Sequence, residues 1–486
     1  MMQSNKLYLL FGAILLAYFA LTITTAITKT PWSDEASFAS PAYNLSHHGY
    51  MGTSTQDTDR MKNRMDKYTY WVMPFELFLY AQWYKIVGFG VFQMRFATIL
   101  FGALGLCGWF ITARQLTRNI NLALFAMAMI ALDYHYGLRA ADGRMDMMCA
   151  GLGSAGLATY LYLRERNFLK AVLIGNCFIA GACYSHPDGA IYALVWLTMA
   201  LMLDRKRASW SAVACAAFGY LAGGALWGIY IAKDPHEFLN QFIANSSGRG
   251  PTLFTDPVNA VLVELQHRYM DHYGWGKWNH GIGRINIIVP LTFVLGILAC
   301  AFSKRLREAP GTKIALACVT VAVLLEVCLD GTKQPTYLIH VIPWYWMLFS
   351  AVVMYAAPPW RMLATCLAVG VALLQVAKTI ELARKTDYWS DWTPTMQWLK
   401  EHGSPDKLII GAPDIAFYVG FDWKIQDDDH LGYETGKRPA FIVLGPRFKG
   451  SLPESKPEIY QYATKLLDTE YREAYRHGNY QIFERK

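Results

Sequence analysis

Charge is what this 486-residue sequence has least of: 17% of its residues are Asp, Glu, Lys or Arg, against 54% hydrophobic and 14% aromatic. Soluble domains carry about 25% charged residues. Such sparse charge, with a mean hydropathy of +0.18, excludes an ordinary water-soluble enzyme. Patterned cysteine is missing too. The nine cysteines (Cys107, Cys149, Cys177, Cys183, Cys215, Cys300, Cys318, Cys328 and Cys366) all fall inside apolar runs and read as small packing residues, which leaves neither a disulfide framework nor a zinc motif. No internal repeat and no low-complexity tract is present, which argues against a transporter assembled from duplicated halves.

What is present is a series of apolar stretches long enough for a bilayer. Leu7 to Ile27 supplies about the 20 residues a crossing needs, with no small-residue cleavage site after it, and reads as a retained anchor. The aromatic run "YWVMPFELFLYAQWYKIVG", Tyr70 to Gly88, decides everything downstream. If it crosses, Arg114, Arg118, Arg164, Arg166, Lys170, Arg205, Lys206, Arg207, Lys304, Arg305, Arg307, Lys313 and Arg361 all land outside, against the positive-inside rule. If it lies along the interface, all of them face the cytoplasm with Lys6, accompanied only by Glu165, Asp204 and Glu308. Trp71, Tyr80, Trp83 and Tyr84 suit the headgroup boundary, Glu76, Gln82 and Lys85 are awkward in hydrocarbon, and Pro74 suits a helix start.

The interfacial placement predicts a mainly α, polytopic membrane protein with about eleven spans: 7–27, 94–113, 120–137, 146–163, 169–185, 188–203, 210–232, 285–302, 314–329, 336–356 and 361–378. The amino terminus is then cytoplasmic and the carboxyl terminus extracytoplasmic, in a multi-pass arrangement in the cytoplasmic membrane. The net charge of +8 is accounted for by inner loops, so membrane lipids rather than nucleic acid are the expected surroundings. Residues 1–379 form the membrane domain, with a first outer loop (28–93) carrying interfacial helices and a long outer loop (233–284). Residues 380–486 read as a small α/β domain on the outer face, with strand candidates "KLIIGA", "AFIVLG" and "YQIFER" and helical patterns at 395–401 and 457–467. Asp427 to Asp429 within it read as a solvated loop rather than a metal site.

On this topology the polar groups converge outside. In "PWSDEASFASPAY", Ser33 is a good helix N-cap and sets Asp34 and Glu35 in a first turn, where the helix dipole favours anions, and Pro41 should end or bend that helix. "LRAADGRMDMM", Leu138 to Met148, brings Arg139, Asp142, Arg144 and Asp146 to the outer boundary, and Asp146, opening an apolar helix, needs a partner such as Arg144 or Arg139. "YSHPDG" contributes His186, and "DGTKQPTYLIHVIPWYWM" contributes Lys333, read as exposed, with Tyr337 and His340. Arg or Lys beside acids in separate outer loops suits a bulky anionic ligand such as a lipid phosphate. The long outer loop adds Arg249 in a Gly-rich setting and a generic His267, Asp271, His272 face.

These motifs, in this order and on this side, resemble the GT-C membrane glycosyltransferases that use a polyprenyl-phosphate-linked sugar, and are similar to the protein O-mannosyltransferases and the bacterial lipid A aminoarabinose transferases. The resemblance runs through "DEASFASPAY", "PFELFLYAQWYKIVGFGVFQMRFATILFG", "GRMDMM", "SHPDG" and "KQPTYLIHVIPWYWM". It implies inverting transfer of a sugar from a polyprenyl phosphate to an acceptor hydroxyl on an envelope lipid, glycan or protein. Asp34 is then the base with Glu35 beside it, and Asp146 is the other candidate. Arg144, Lys333, Lys67 and Arg139 would hold the donor phosphate, with His186, Tyr337, His340 and Arg249 around the cavity. No metal is required, and a divalent ion between Asp34 and Glu35 is the variant reading. One departure is that the Lys-Pro-Pro-Leu stretch of the aminoarabinose transferases is replaced by "KYTYWVMPFEL", which weakens the carry-over of a lysine role to Lys67 and of lipid A as acceptor. The rival is a transporter or flippase of an anionic glycolipid. It predicts polar residues at mid-membrane, where Glu326 is a mild exception.

Overall fold

A computed structural model describes residues 2–247, 256–275, 281–446, 448 and 456–486. A helix occupies each of the eleven predicted stretches: Met2–Thr28, Val91–Thr117, Ile120–Leu132, Met145–Leu163, Phe168–Ser185, Gly189–Asp204, Trp210–Ile231, Ile288–Phe302, Thr312–Leu329, Ile342–Tyr355 and Pro358–Arg384. Among the described residues, six stretches are long and apolar enough to cross a membrane, and Ile120–Leu132 and Ile342–Tyr355 are shorter apolar helices. The inner helices approach closely through glycine. A Cβ on Gly151 would lie 2.4 Å from the Phe101 carbonyl oxygen, and one on Gly108 2.8 Å from the Ser154 backbone. Trp210–Ile231 buries only Ala212 and turns Leu221, Leu226 and Ile229 outward, as a lipid-facing wall would.

The Tyr70 to Gly88 run becomes the helix Pro74–Val87, with Pro74 at its first turn. Its 14 residues span about 21 Å at 1.5 Å per residue, short of a hydrocarbon core of about 30 Å. It packs on the helix Ser33–His47 and against Phe168–Ser185. Glu76, Leu77, Tyr80, Ala81 and Tyr84 form its buried face, and Phe78 and Ile86 are exposed. The helix Ser33–His47 starts one residue earlier than the cap reading placed it, with Trp32 as N-cap and Glu35 accepting the Trp32 N–H. It also runs through Pro41 instead of ending there.

The carboxyl-terminal region holds a five-stranded sheet of β1 (Ile409–Ile410), β2 (Ile425–Gln426), β3 (Phe441–Leu444), β4 (Tyr471–His477) and β5 (Tyr480–Arg485), in the order β2-β1-β3-β5-β4. The first three are parallel, and β5 pairs antiparallel with β3 and β4. Helices Thr393–His402 and Pro457–Glu470 occupy the predicted helical patterns. The Asp427 to Asp429 run is only partly solvated, where the sequence reads as a solvated loop. Asp428 is fully buried and accepts from Arg60 Nη1 at 3.0 Å, Asp429 accepts from the same nitrogen at 2.6 Å, and the Asp427 N–H donates to the Thr55 carbonyl at 2.9 Å. Lys437 donates to Asp57 at 2.6 Å. The sheet is thereby fastened to the first long loop.

Candidate active site

Asp34 and Glu35 are neighbours with opposite surroundings. Glu35 is fully buried and grips Arg95 with both oxygens, at 2.7 Å from Nε and 2.7 Å from Nη2. Arg95 Nη1 also donates to the Ala26 and Lys29 carbonyls, each at 2.7 Å, and Glu35 accepts the Gly143 N–H at 3.0 Å. The ends of helices Met2–Thr28 and Val91–Thr117 therefore lie on one side, joined by Glu35. Burial alone pushes the Glu35 carboxyl up, but the Arg95 and Lys29 charges and the hydrogen bonds outweigh it and hold the pKa down at about 2. Asp34 keeps 47% of its side chain exposed and pairs with Arg144.

Arg144 starts a connected chain of polar groups. Its guanidinium lies 5.2 Å from the Trp32 ring and 5.5 Å from Phe38, and its Nε donates to Asp146 at 2.8 Å. Burial disfavours its charge, but Asp146 and Asp34 more than compensate and raise its pKa. The second Asp146 oxygen faces His186 Nε2 at 3.7 Å, and His186 Nδ1 faces Asp188 at 3.3 Å. Asp188 in turn faces His340 Nε2 at 3.6 Å, and His340 Nδ1 meets the Tyr192 hydroxyl at 3.1 Å. Beside Arg144, Asp142 is held by Lys29 and by Arg139 Nη1, the latter at 2.6 Å.

A second buried cluster centres on Arg268, which pairs with Glu264 at 2.7 Å, Glu326 at 2.6 Å and Asp330 at 3.2 Å. Lys333 belongs here, and its predicted exposure is corrected: it is 1% exposed, donates to the Val327 carbonyl at 2.7 Å and lies 3.5 Å from Glu264. Tyr337 joins the clusters, its ring 5.9 Å from the Arg268 guanidinium and 4.9 Å from the His186 ring. A cavity of about 330 Å³ is lined by His186, Asp188, Asp330 and Tyr337 together with aromatics that include Trp71 and Trp227. Glu76 is fully buried, and burial, reinforced by Asp146, raises its pKa well above the usual carboxylate range.

The structure thus draws Asp34, Glu35, Arg139, Arg144, Asp146, His186, Lys333, Tyr337 and His340 to one end of the bundle. Lys67 is exposed on the first loop, and Arg249 lies outside the described residues. The His267, Asp271, His272 face divides: His267 and Asp271 pair at 3.2 Å, while His272 turns to His135 at 2.7 Å. The two-carboxylate cation site at Asp34 and Glu35 is not formed, because Arg95 and backbone N–H groups occupy both Glu35 oxygens. The side chains that could hold a metal ion are instead His186, Asp188 and His340, with ligand atoms all within 4.8 Å of one another. Sequence reasoning missed Asp188, Arg268, Asp330 and the buried role of Glu76. Asp188 stands inside "SHPDG", and a charged Glu326 within an apolar helix called for a cation such as Arg268.

A helical bundle with its polar network gathered at one end, an amphipathic helix beside it and a small sheet docked on the first loop is a fold this chain shares with solved membrane-protein structures. ArnT from Cupriavidus metallidurans bound to undecaprenyl phosphate aligns over 99% of this chain and 98% of its own, with a TM-score of 0.63 at 14% identity. Its apo state aligns over the same shares at 0.61. The apo oligosaccharyltransferase of Archaeoglobus fulgidus aligns over 94% of this chain and 69% of its own, with a TM-score of 0.56 at 12% identity. No family model and no curated protein matches the sequence. At these identities the likeness is one of fold.

Proposed function

We propose that this protein is an inverting glycosyltransferase that moves a sugar from a polyprenyl-phosphate donor to an acceptor hydroxyl on an envelope lipid, glycan or protein. It would act at the outer face of the cytoplasmic membrane, the side expected from the bias of basic residues among the loops. The observation that carries this reading is the pairing of a half-exposed Asp34 with Arg144 at the mouth of a polar network, in a fold shared with a protein captured with undecaprenyl phosphate.

Asp34 takes the proton of the acceptor hydroxyl as its oxygen attacks the anomeric carbon. The carbon–oxygen bond to phosphate breaks, and the polyprenyl phosphate leaves with the electron pair. Arg144 meets the charge that develops on that phosphate, while Asp146 holds Arg144 from behind. Both acids pair with Arg144, but Asp146 is 1% exposed whereas the Asp34 side chain is 47% exposed, which favours Asp34 as the base and Asp146 as a positioning residue. Glu35, tied to Arg95, positions the turn that carries Asp34. Arg139 and Lys333, held by Asp142 and Glu264, add positive charge behind this front. A positioned base contributes about 10²- to 10⁴-fold in rate.

Purified Asp34→Asn protein, given a panel of polyprenyl-phosphate sugars and envelope acceptors with products read by mass spectrometry, should lose transfer while retaining its melting midpoint and donor binding. Near wild-type turnover in that variant would remove Asp34 from the role.

A further inference from the structure

We propose that His186, Asp188 and His340 bind one divalent transition-metal ion of the zinc type, with a coordination position open to the cavity. Zinc is held at about 2.0–2.1 Å by imidazole nitrogen and about 2.0–2.2 Å by carboxylate oxygen, so two tetrahedral ligands stand roughly 3.3 Å apart. Asp188 Oδ2 lies 3.3 Å from His186 Nδ1 and 3.6 Å from His340 Nε2, close to that separation. The Asp188 N–H also approaches His186 Nδ1, at 3.1 Å, a contact that metal binding would replace.

The partners of these atoms point the same way. His340 Nε2 is fully buried without a hydrogen bond, and Asp188 Oδ2, on a residue 3% exposed, faces the two histidine nitrogens His186 Nδ1 at 3.3 Å and His340 Nε2 at 3.6 Å. Buried polar atoms are left unpaired rarely and at a cost, and an ion held among these three atoms would satisfy His340 Nε2 and the Asp188 carboxylate together. The remaining nitrogen of each histidine faces a polar group beyond it. His340 Nδ1 meets the Tyr192 hydroxyl at 3.1 Å, and His186 Nε2 faces Asp146 Oδ1 at 3.7 Å. Metal-bound histidines are commonly oriented by such groups through their second nitrogen. Arg144 and Arg268 are the nearby cations, each neutralised by two or more carboxylates of its own.

His186 and Asp188 line the cavity, whereas His340 stands behind them. Three protein ligands on one side leave the cavity side for water or an anionic oxygen, the arrangement of a reactive or ligand-binding zinc rather than a closed structural one. The chemistry such a position recognises is a phosphate oxygen. The ion would also join the 185–189 turn to the 335–340 turn, neither of which is bonded to the other in sequence.

The test uses tag-free full-length protein, stripped with a chelator and loaded with Zn²⁺ or Co²⁺. Mass spectrometry of metals should find about one ion per chain, and the cobalt form should show the visible absorption of a four-coordinate site. Asp188→Asn and His340→Gln should lower the metal content about tenfold or more, while the surface control His402→Ala retains it. Inorganic phosphate should shift the cobalt spectrum of the unaltered protein. Substoichiometric metal in that protein, six-coordinate cobalt only, or undiminished metal in both site variants would overturn the site. A cobalt spectrum indifferent to phosphate would overturn the open position. None of these readings uses sugar transfer, so they stand or fall separately from the glycosyltransferase assignment.

Discussion

Replacing Glu35 with Gln should damage the protein through its architecture rather than its chemistry. The carboxylate and Arg95 are both wholly buried, in contact through two 2.7 Å bonds, so the substitution leaves a guanidinium without a counterion. Stranding one partner of a buried pair costs about 3–5 kcal/mol. The lowered carboxyl pKa gives a second figure: at about 1.4 kcal/mol per pH unit, the gap between an ordinary 4.5 and about 2 is worth roughly 3–4 kcal/mol. The two agree. Because the folded pKa is the lower one, this stability is present above about pH 4.5 and is lost as the pH falls towards 2. Tryptophan-fluorescence melting in detergent should show wild type weakening across that window and Glu35→Gln changing less there. Arg95→Met should cost at least as much, and the double variant Glu35→Leu with Arg95→Met less than the two single costs added, by about 2 kcal/mol or more. Single costs below about 1 kcal/mol that simply add would refute the reasoning.

Glu76 behaves in the opposite sense. Its pKa is raised by burial and by Asp146, so its contribution is full below about pH 4.5 and declines as the pH rises. Glu76→Gln should therefore melt above wild type at pH 8 by an amount worth about 1 kcal/mol or more, with the gap closing at pH 4, and an equal loss at both values would contradict this. Lys437→Ala withdraws the cation from Asp57, which is 1% exposed, and should loosen the sheet from the first loop at a cost of about 1–3 kcal/mol. Limited proteolysis of native protein would show faster cleavage around residues 380–390, and unchanged digestion would count against it.

The apolar helices were legible because lipid imposes a length on them, and basic residues marked the loops at one end. The sign of the Tyr70 to Gly88 segment followed from the same bias, and the meeting of Glu35 with Arg95 now fixes both its flanks on one side. What stayed hidden was pairing across long separations. Lys333 reads as a loop lysine until Glu264, far away in sequence, is found beside it. Asp428 reads as one of three loop acids until Arg60 arrives from the first loop. Strands β2 and β4 escaped notice because one has two residues and the other, Tyr471–His477, is mostly exposed and polar. Asp34, Asp146 and His186 were legible as chemistry-bearing residues, but the division of labour between Asp34 and Glu35 was not. Burial alone separates two adjacent carboxylates on one helical turn.

The bond between Glu35 and Arg95 has a meaning during synthesis as well. Glu35 emerges 60 residues before the arginine that neutralises it. Until then it is an acid at the end of the first anchor, with the aromatic run still to be placed. A chain that threaded this run through the bilayer would deliver Arg95 to the far side, about 30 Å of hydrocarbon away from its partner. The Ala26 and Lys29 carbonyls and the Gly143 amide would then be left open as well. The joint closes when that run stays on one side, so a single ion pair lets the finished protein distinguish chains in which the run lies along the surface from chains in which it crosses.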